Sequence, residues 1–318
     1  MSTDVQTEIG DTRGIVDRIR ASPFLSELLR NRLALFGLAI ILLMVVIAVY
    51  SRLFMDVGAI TQSNLGSAPS MQGPCGENAL SAIPGSASGC TYPFGTDLQA
   101  RSIFDRVMYG SWLALKFGTA IVGMSTLLGV GLGIVAAYYG GAVDNTIMRV
   151  MDVLLAFPPL LLALALVAIF GTGLWKAVIA LTLVYTPRFA RVVRGAALKV
   201  IEDEYIDATI ALGARDRRIL VRHILPNSLA PITVQSTLNF GLAIIDLAAL
   251  SFLGFGAQAG TPSWGLMLSN GVTQGLLSGE WWWSFFPGLF LATTVLGFNL
   301  LGDGMRDALD PRMREAVD

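Results

Sequence analysis

The feature that most constrains this chain is a series of long stretches without a charged residue. The first runs from Leu33 to Tyr50 and approaches the length of about 20 apolar residues that a helix needs to cross a bilayer. Comparable stretches recur along the sequence, which is 54% hydrophobic and only 14% charged. Because soluble domains carry about 25% charged residues, the sequence predicts an integral membrane protein.

Six apolar stretches predict an all-α, polytopic bundle of six transmembrane helices. They are Leu33 to Tyr50, a span within Phe117 to Val143, Val153 to Phe170, Trp175 to Val193, Ile232 to Phe252, and Trp283 to Leu301. The third stretch contains Pro158 and Pro159, which are expected to break its helix. The fourth is the least apolar, because Arg188 and Arg191 enter its end.

The basic residues predict the orientation of the bundle, because loops rich in Lys and Arg tend to stay in the cytoplasm. With both termini inside, 17 of the 22 Lys and Arg residues lie on the cytoplasmic side. The expected organisation is a cytoplasmic segment 1–32, a first helix 33–50, an extracytoplasmic loop 51–110, a five-helix core 111–303 and a cytoplasmic tail 304–318. No small-residue cleavage site follows the first apolar stretch, so we expect an uncleaved first span in the inner membrane.

The small number of cysteine and histidine residues, the net charge and the absence of catalytic motifs argue against several classes of function. Cys75 and Cys90 both fall in the outer loop, where an oxidising compartment favours a disulfide; two unpaired thiols are the alternative. The chain has two cysteines and one histidine, which are too few thiolate and imidazole ligands for a transition-metal centre. The net charge of −1 argues against nucleic acid as a partner. Nucleotide-binding, hydrolase-elbow and zinc-protease motifs do not occur, so no enzymatic activity is expected.

The loop between the fourth and fifth spans, residues 202–227, has the pattern of two short helices. Acidic residues at 202–204 suit the start of the first helix, where the backbone amides are unpaired. Gly213 permits a turn and Pro226 is expected to end the second helix. A rigid, charged helix pair is suited to docking another protein; a solvated amphipathic loop is the alternative.

This loop resembles the EAA loop of ATP-binding-cassette (ABC) importer permeases, in which an acidic-Ala-Ala triplet precedes a glycine and a Leu-Pro pair closes the loop. The matching residues are Asp207, Ala208 and Thr209, then Gly213, then Leu225 and Pro226. The resemblance implies that these residues contact a partner ATPase, together with the three that follow the glycine, Ala214, Arg215 and Asp216. Asp stands here for the usual Glu, and Thr for the second Ala.

Four further stretches resemble the dipeptide, oligopeptide and nickel branch of these permeases, and most closely its C-type dipeptide subunits. They are Phe94 to Trp112, Tyr138 to Gly171, Asp246 to Gly271 and Phe298 to Arg314. The resemblance implies the type I ABC importer permease fold and half of a translocation pathway for di- or oligopeptides. A nickel or other small-solute importer of the same branch is one alternative. A carboxylate-dependent membrane enzyme, using Asp152 and Asp246, is the alternative from another class.

The resemblance also implies a set of partners. They are a second homologous permease subunit, two ABC ATPase subunits that bind ATP and magnesium, an extracytoplasmic substrate-binding protein, membrane lipid, and the peptide or other small solute that is carried. This chain itself is expected to hold no metal and no cofactor.

Three polar residues of the fifth span are candidates for the pathway: Asp246, Gln235 and Asn239. A carboxylate in the middle of a span costs about 2.5–3.5 kcal/mol on insertion scales, so Asp246 is expected to face the bundle interior, water or a partner. It either lines the pathway and attracts the amino group of a substrate, or serves as a hydrogen-bonded strut.

Two other groups of side chains are expected at the membrane surfaces. Arg188, Arg191 and Arg194 follow one face of the fourth span and are expected to reach lipid head groups, with lining of the inner mouth as the alternative. Residues 281–283 are three consecutive tryptophans that predict an aromatic belt at the outer start of the sixth span, with a cation-binding cage as the alternative.

Overall fold

The computed structural model describes residue 28 and residues 31–66, 68–74 and 92–309. Cys75 and Cys90, and with them the predicted disulfide, lie outside these residues. The described part of the chain is helical, and its only β pairing consists of two isolated bridges, Leu65 with Ala68 and Thr96 with Ser102.

Thirteen α-helices follow one another in the described residues. They are α1 (Arg32–Phe54), α2 (Val57–Thr61), α3 (Ile103–Tyr139), α4 (Gly141–Leu155), α5 (Pro159–Phe170), α6 (Leu174–Ile201), α7 (Glu204–Ala211), α8 (Asp216–Ile219), α9 (Leu225–Asn227), α10 (Leu229–Phe252), α11 (Trp264–Asn270), α12 (Leu276–Ser278) and α13 (Trp282–Leu309). A π-helical turn, Leu220–Ile224, connects α8 to α9, and another, Gly271–Gly275, connects α11 to α12.

In the described part of the chain, four helices are long and apolar enough to cross a membrane: α1, α3, α10 and α13. A fifth span results if α4 and α5, which are bent by 94° at their junction, are taken together. The two prolines that predicted a break lie at this bend. Pro159 is the first residue of α5, where a proline is tolerated because the first N–H groups of a helix have no partner within the helix. α6 has 28 residues, but the arginines of its second half lower its hydropathy.

Three boundaries differ from those predicted. α3 begins well before the expected span, because Ser102 accepts the N–H of Asp105 and caps its first turn. Its end at Tyr139 lies within the predicted range, and the next residue, Gly140, has a φ of +59°. Pro226 does not end a helix: it lies in the first turn of α9, where a proline is tolerated. α13 continues to Leu309, past the predicted start of the tail.

Glycines bring the helices into close contact. A Cβ on Gly129 of α3 would overlap Phe189 and the backbone of Thr186 in α6, and one on Gly133 would overlap the backbone of Ala190. Small residues at such positions let two helix backbones approach each other. α3 and α6 therefore form a tightly packed pair at the centre of the bundle.

Three buried apolar clusters surround this pair. The first lies between α3, α5, α6 and α10 and includes Ile121, Val167, Leu181 and Leu247. The second lies at the C-terminal end of α3 and includes Ile134, Val193, Ile206 and Ile219. The third lies at the N-terminal end of α3 and includes Ile103, Val107, Met267 and Trp283. Both ends of α3 are thus anchored in apolar packing.

Candidate functional site

The segment of residues 202–227 forms two short helical parts joined by a tight turn. α7 is followed by Gly213, whose φ of +77° lies in the left-handed region that favours glycine. Ile206 and Ile224 are fully buried and Ile219 is 1% exposed, and all three pack against residues of α3 and α6. One face of the segment is therefore fixed to the bundle, and the other is free for contact with another molecule.

The residues matched to the EAA pattern lie mostly on that free face. Asp207, Ala208, Gly213, Arg215, Asp216 and Pro226 are exposed, whereas Thr209, Ala214 and Leu225 are partly buried. Leu212, beside the turn glycine, is 89% exposed. The segment thus presents both charged groups and an apolar side chain to its surroundings.

Polar contacts also hold the segment to the bundle. Tyr138, at the end of α3, donates a hydrogen bond to Asp216 at 3.0 Å, and the neighbouring Tyr139 donates to the other carboxylate oxygen at 3.4 Å. Asn227 donates to the hydroxyl of Tyr205 at 2.9 Å, which links α9 to α7. These contacts join residues that are far apart in the sequence, so the local pattern did not predict them.

Two arginines of α6 pair with α4. Arg191 lies 2.5 Å from Asp152, and Arg194 forms two hydrogen bonds of 2.5 Å with Asp144. The sequence did not predict these partners: each arginine has a carboxylate on the neighbouring helix. These pairs hold α4 against α6.

Asp246 has a partner within the bundle. The hydroxyl of Tyr185, on α6, donates to its carboxylate at 2.6 Å. The guanidinium of Arg188 lies 5.4 Å from the centre of the Tyr185 ring, close enough for a cation–π interaction. This geometry favours the hydrogen-bonded strut over direct contact with a substrate.

The three candidate pathway residues of α10 do not share one environment. Gln235 lines an open cleft of about 500 Å³ together with Arg306. Asn239 is 1% exposed, and its amide nitrogen has no hydrogen-bond partner among the described residues. Asp246 lies further along the helix and contacts Tyr185. Helical spacing places the three on one side of α10, but their burial differs.

The carboxylate-dependent enzyme requires Asp152 and Asp246 in one cavity. Asp152 lines a cleft with Asp144 and the two arginines of α6, and Asp246 is not part of its lining. The two carboxylates therefore have separate partners. Within the residues that the structure describes, no group of three His, Cys, Asp or Glu side chains is arranged to hold a metal ion.

At the N-terminal end of α3, Thr96 connects several segments. Its hydroxyl donates to the carbonyl of Pro69 at 2.8 Å and accepts the N–H of Gln72 at 2.9 Å. Its carbonyl accepts the indole N–H of Trp283 at 2.9 Å. Trp283 is only 4% exposed, so it anchors this end of the bundle and does not belong to the predicted aromatic belt.

Arg106 adds a second connection at the same end and is 2% exposed. Its Nη1 donates to the carbonyls of Ile60 and Gly260, each at 3.2 Å, and its Nη2 donates to that of Thr261 at 3.4 Å. We call Thr96, Arg106 and Trp283 the Thr96 hub. Thr96 and Arg106 were not predicted as functional residues, although both lie in the family-like stretch that begins at Phe94, and Trp283 was predicted only as part of the aromatic belt.

Comparisons with known proteins agree with this architecture. Residues 129–315 match the family described as "binding-protein-dependent transport system inner membrane component", and residues 23–72 match the "N-terminal TM domain of oligopeptide transport permease C". A dipeptide transport system permease protein, DppC, of Alkalihalophilus pseudofirmus is 43% identical over 91% of this chain and 88% of its own length. A glutathione transport system permease protein, GsiD, of Escherichia coli is 38% identical over 90% of this chain and 88% of its own length.

A solved structure shares the fold. The chain is similar to an inward-facing conformation of the MetNI methionine ABC transporter, with a TM-score of 0.52 and 19% identity over 64% of this chain and 97% of that one. Since the family match covers more than half of the sequence, the chain belongs to the binding-protein-dependent transport system inner membrane components and is a multi-pass permease subunit of an ABC transporter.

Proposed function

We propose that this chain forms half of a translocation pathway for di- or oligopeptides, in an importer powered by separate ATPase subunits. The observation that carries the proposal is the similarity to the dipeptide permease over 91% of the chain. The glutathione permease supports the same class, because glutathione is a small peptide. A second homologous permease would supply the other half of the pathway, and a binding protein would deliver the substrate from outside.

In this proposal the bundle has six spans, with α6 as the span that hydropathy alone does not identify. Arg191 and Arg194 are compensated by Asp152 and Asp144 of α4, which supports a position near the membrane surface for that end of the helix. Both termini and residues 202–227 are cytoplasmic in this topology, and the Thr96 hub faces the outside. The excess of Lys and Arg on the cytoplasmic side supports this orientation.

The exposed face of residues 202–227 is proposed to dock an ATPase subunit. A segment with a buried isoleucine face and hydrogen bonds to the end of α3 moves with the bundle, so force applied to it reaches the transmembrane helices. ATP and magnesium would bind in the ATPase, and closure of the ATPase dimer would move the two permeases as rigid bodies.

The decisive experiment measures uptake of a radiolabelled dipeptide in a strain that lacks this chain. We expect uptake to fall to background and to return when the chain is supplied again. Undiminished uptake would contradict the peptide assignment.

Contact with the ATPase is tested separately, by single cysteines at Ala208 and Arg215. We expect both to crosslink to a nucleotide-hydrolysing subunit. A matched cysteine at Thr273, on an exposed position of the π turn Gly271–Gly275, should give no such product. Crosslinking of all three positions, or of none, would argue against docking through residues 202–227.

A further inference from the structure

A cavity of about 400 Å³ lies beside the Thr96 hub, within the range of roughly 300–1,000 Å³ that is typical of small-molecule sites. Its walls come from the turn before α3, the first residues of α3, the segment after α10, α11 and the start of α13. No pathway residue proposed from the sequence belongs to this lining. The cavity is therefore distinct from the α10 candidates.

Three charged residues line this cavity, and all three are buried. Arg106 is 2% exposed, Arg101 is 7% exposed and Asp97 is 9% exposed. Two guanidinium groups face a single carboxylate, so the lining carries an excess of positive charge. Such a site favours an anionic group and disfavours a free metal cation.

The carboxylate of Asp97 is already engaged by its neighbours. One of its oxygens accepts the backbone N–H groups of Gln99 and Arg101, both at 2.9 Å. The other accepts Nε of Arg101 at 2.7 Å and lies 2.6 Å from its Nη2. Within the described residues, Nη1 of Arg101 has no hydrogen-bond partner, so donor capacity remains for an incoming acceptor.

The rest of the lining combines amides with apolar side chains. Gln258, Asn270 and Gln274 supply neutral hydrogen-bonding groups, and Leu266 and Met267 supply apolar surface. Amides that can donate and accept suit the backbone of a short peptide, and the apolar surface suits its side chains. Arginine suits its carboxylate, because the guanidinium matches that group geometrically.

We propose that this cavity is a recognition site for the carboxylate end of a short peptide, on the side of the bundle that carries the Thr96 hub. The proposal rests on the proposed function for the class of substrate, and it adds a site within this chain. A peptide released at this surface binds here through its carboxylate before it enters the pathway.

The test uses the complete transporter in lipid nanodiscs without its binding protein, so that any recognition belongs to the membrane subunits. A cysteine replaces Gln258, an exposed residue of the lining. Its rate of modification is measured with an anionic and with a cationic methanethiosulfonate reagent, each divided by the rate with a free thiol. The parent transporter, labelled in parallel, corrects for Cys75 and Cys90.

We expect the anionic reagent to be favoured by about fivefold or more, because of the positive lining. A dipeptide with a free carboxylate should slow the modification, and the same dipeptide with a C-terminal amide should not. Thr273→Cys, outside the lining, should show neither the preference nor the protection. Equal rates at Gln258→Cys, or equal protection by acid and amide, would overturn the proposal.

Two variants that each remove one charge separate recognition from loss of structure. Arg101→Gln should abolish protection by the free dipeptide, because it removes the cation with an available donor. Asp97→Asn should retain or strengthen protection, because it removes the only carboxylate of the lining and its remaining oxygen still accepts the backbone N–H groups. Loss of protection in both variants would contradict the charge argument.

The outcomes also distinguish this site from the proposed function. If the wild-type importer takes up the dipeptide but Gln258→Cys is not protected by it, the site is refuted and peptide transport stands. Protection without any uptake by the wild-type importer supports the site and refutes peptide transport.

Discussion

Asp246 shows how one carboxylate is accommodated inside a transmembrane helix. It is partly buried on α10, and the 2.6 Å hydrogen bond from Tyr185 satisfies one of its oxygens. Leaving a buried polar group without its partner costs about 1–3 kcal/mol. The contact therefore contributes to the packing of α10 against α6, whether or not a substrate ever approaches it.

Tyr185→Phe should lower the stability of the chain, because it removes the hydroxyl that donates to Asp246. The expected loss is about 1–3 kcal/mol, measured as a lower midpoint of thermal unfolding of the purified transporter. Combining it with Asp246→Asn should recover part of the loss, since a neutral amide is less costly to bury than a carboxylate.

Asp246→Asn alone keeps an oxygen that accepts from Tyr185, and should retain both stability and uptake if Asp246 is a strut. A sharp fall in uptake with unchanged assembly would instead assign Asp246 to the pathway. A Tyr185→Phe variant as stable as the wild type would contradict the strut.

Among the elements, the α3–α6 pair depends on closely approaching backbones. Gly129 faces Phe189, Thr186 and Ala190 across the interface, whereas a Cβ on Gly131 of the same helix would meet nothing within 4 Å. Both glycines belong to the same short stretch of sequence. Only the one that faces α6 requires the absence of a side chain.

Gly129→Ala should therefore destabilise the pair by about 1–3 kcal/mol, as overpacking of a tight interface does. Gly131→Ala is the matched control and should be neutral or slightly stabilising, because alanine is the better helix former. Thermal unfolding and the amount of assembled transporter would be measured for both. Equal behaviour of the two variants would contradict the close approach of α3 and α6.

The sequence predicts elements better than it predicts the contacts between them. Long apolar stretches located α1, α10 and α13, since hydropathy is a local property. The first turns of α3 were missed because Asp105 and Arg106 are charged. The structure accommodates them there because Ser102 accepts the backbone N–H of Asp105 and distant carbonyls accept the guanidinium of Arg106. Pro158 and Pro159 predicted a break, but its angle depends on how α4 packs against α6.

The same limit applies to the candidate site. Gly213 and its surroundings predicted two short helical parts, because a turn with positive φ leaves a local signal. The partners of Asp216 and Asp246 were not predicted, since Tyr138 and Tyr185 lie 78 and 61 residues away in the sequence. Such pairings depend on tertiary packing, which a single sequence does not reveal.

In the whole molecule, α3 connects residues 202–227 at its C-terminal end with the Thr96 hub at its N-terminal end. Its C-terminal end packs against residues 202–227, and its N-terminal end carries Arg106 of the Thr96 hub. Arg106 holds carbonyls from two separate segments, at Ile60 and at 260–261. The hub therefore depends on a side chain with several donors in a fixed geometry.

Arg106→Lys should loosen the hub while keeping its charge, because a single ammonium lacks the guanidinium's fixed fork of donors. We expect backbone amide hydrogen exchange at Ile60 and Thr261, whose carbonyls Arg106 holds and whose own amides are hydrogen-bonded, to become about tenfold faster, as local opening becomes easier. Lys116→Arg replaces one cationic side chain by another elsewhere on α3, and it should leave hydrogen exchange at these amides unchanged. Unaltered exchange in Arg106→Lys would show that the hub is held by other contacts.

The length of α3 has a mechanical consequence. With 37 residues and no proline, the helix is about 55 Å long at a rise of 1.5 Å per residue, well beyond the roughly 30 Å of the hydrocarbon layer. A tilt of about 5° displaces one end of such a rod by about 5 Å relative to the other. If residues 202–227 couple to an ATPase as proposed, a small rotation at that end of α3 would displace the end beside Thr96 by as much as the spacing between neighbouring side chains.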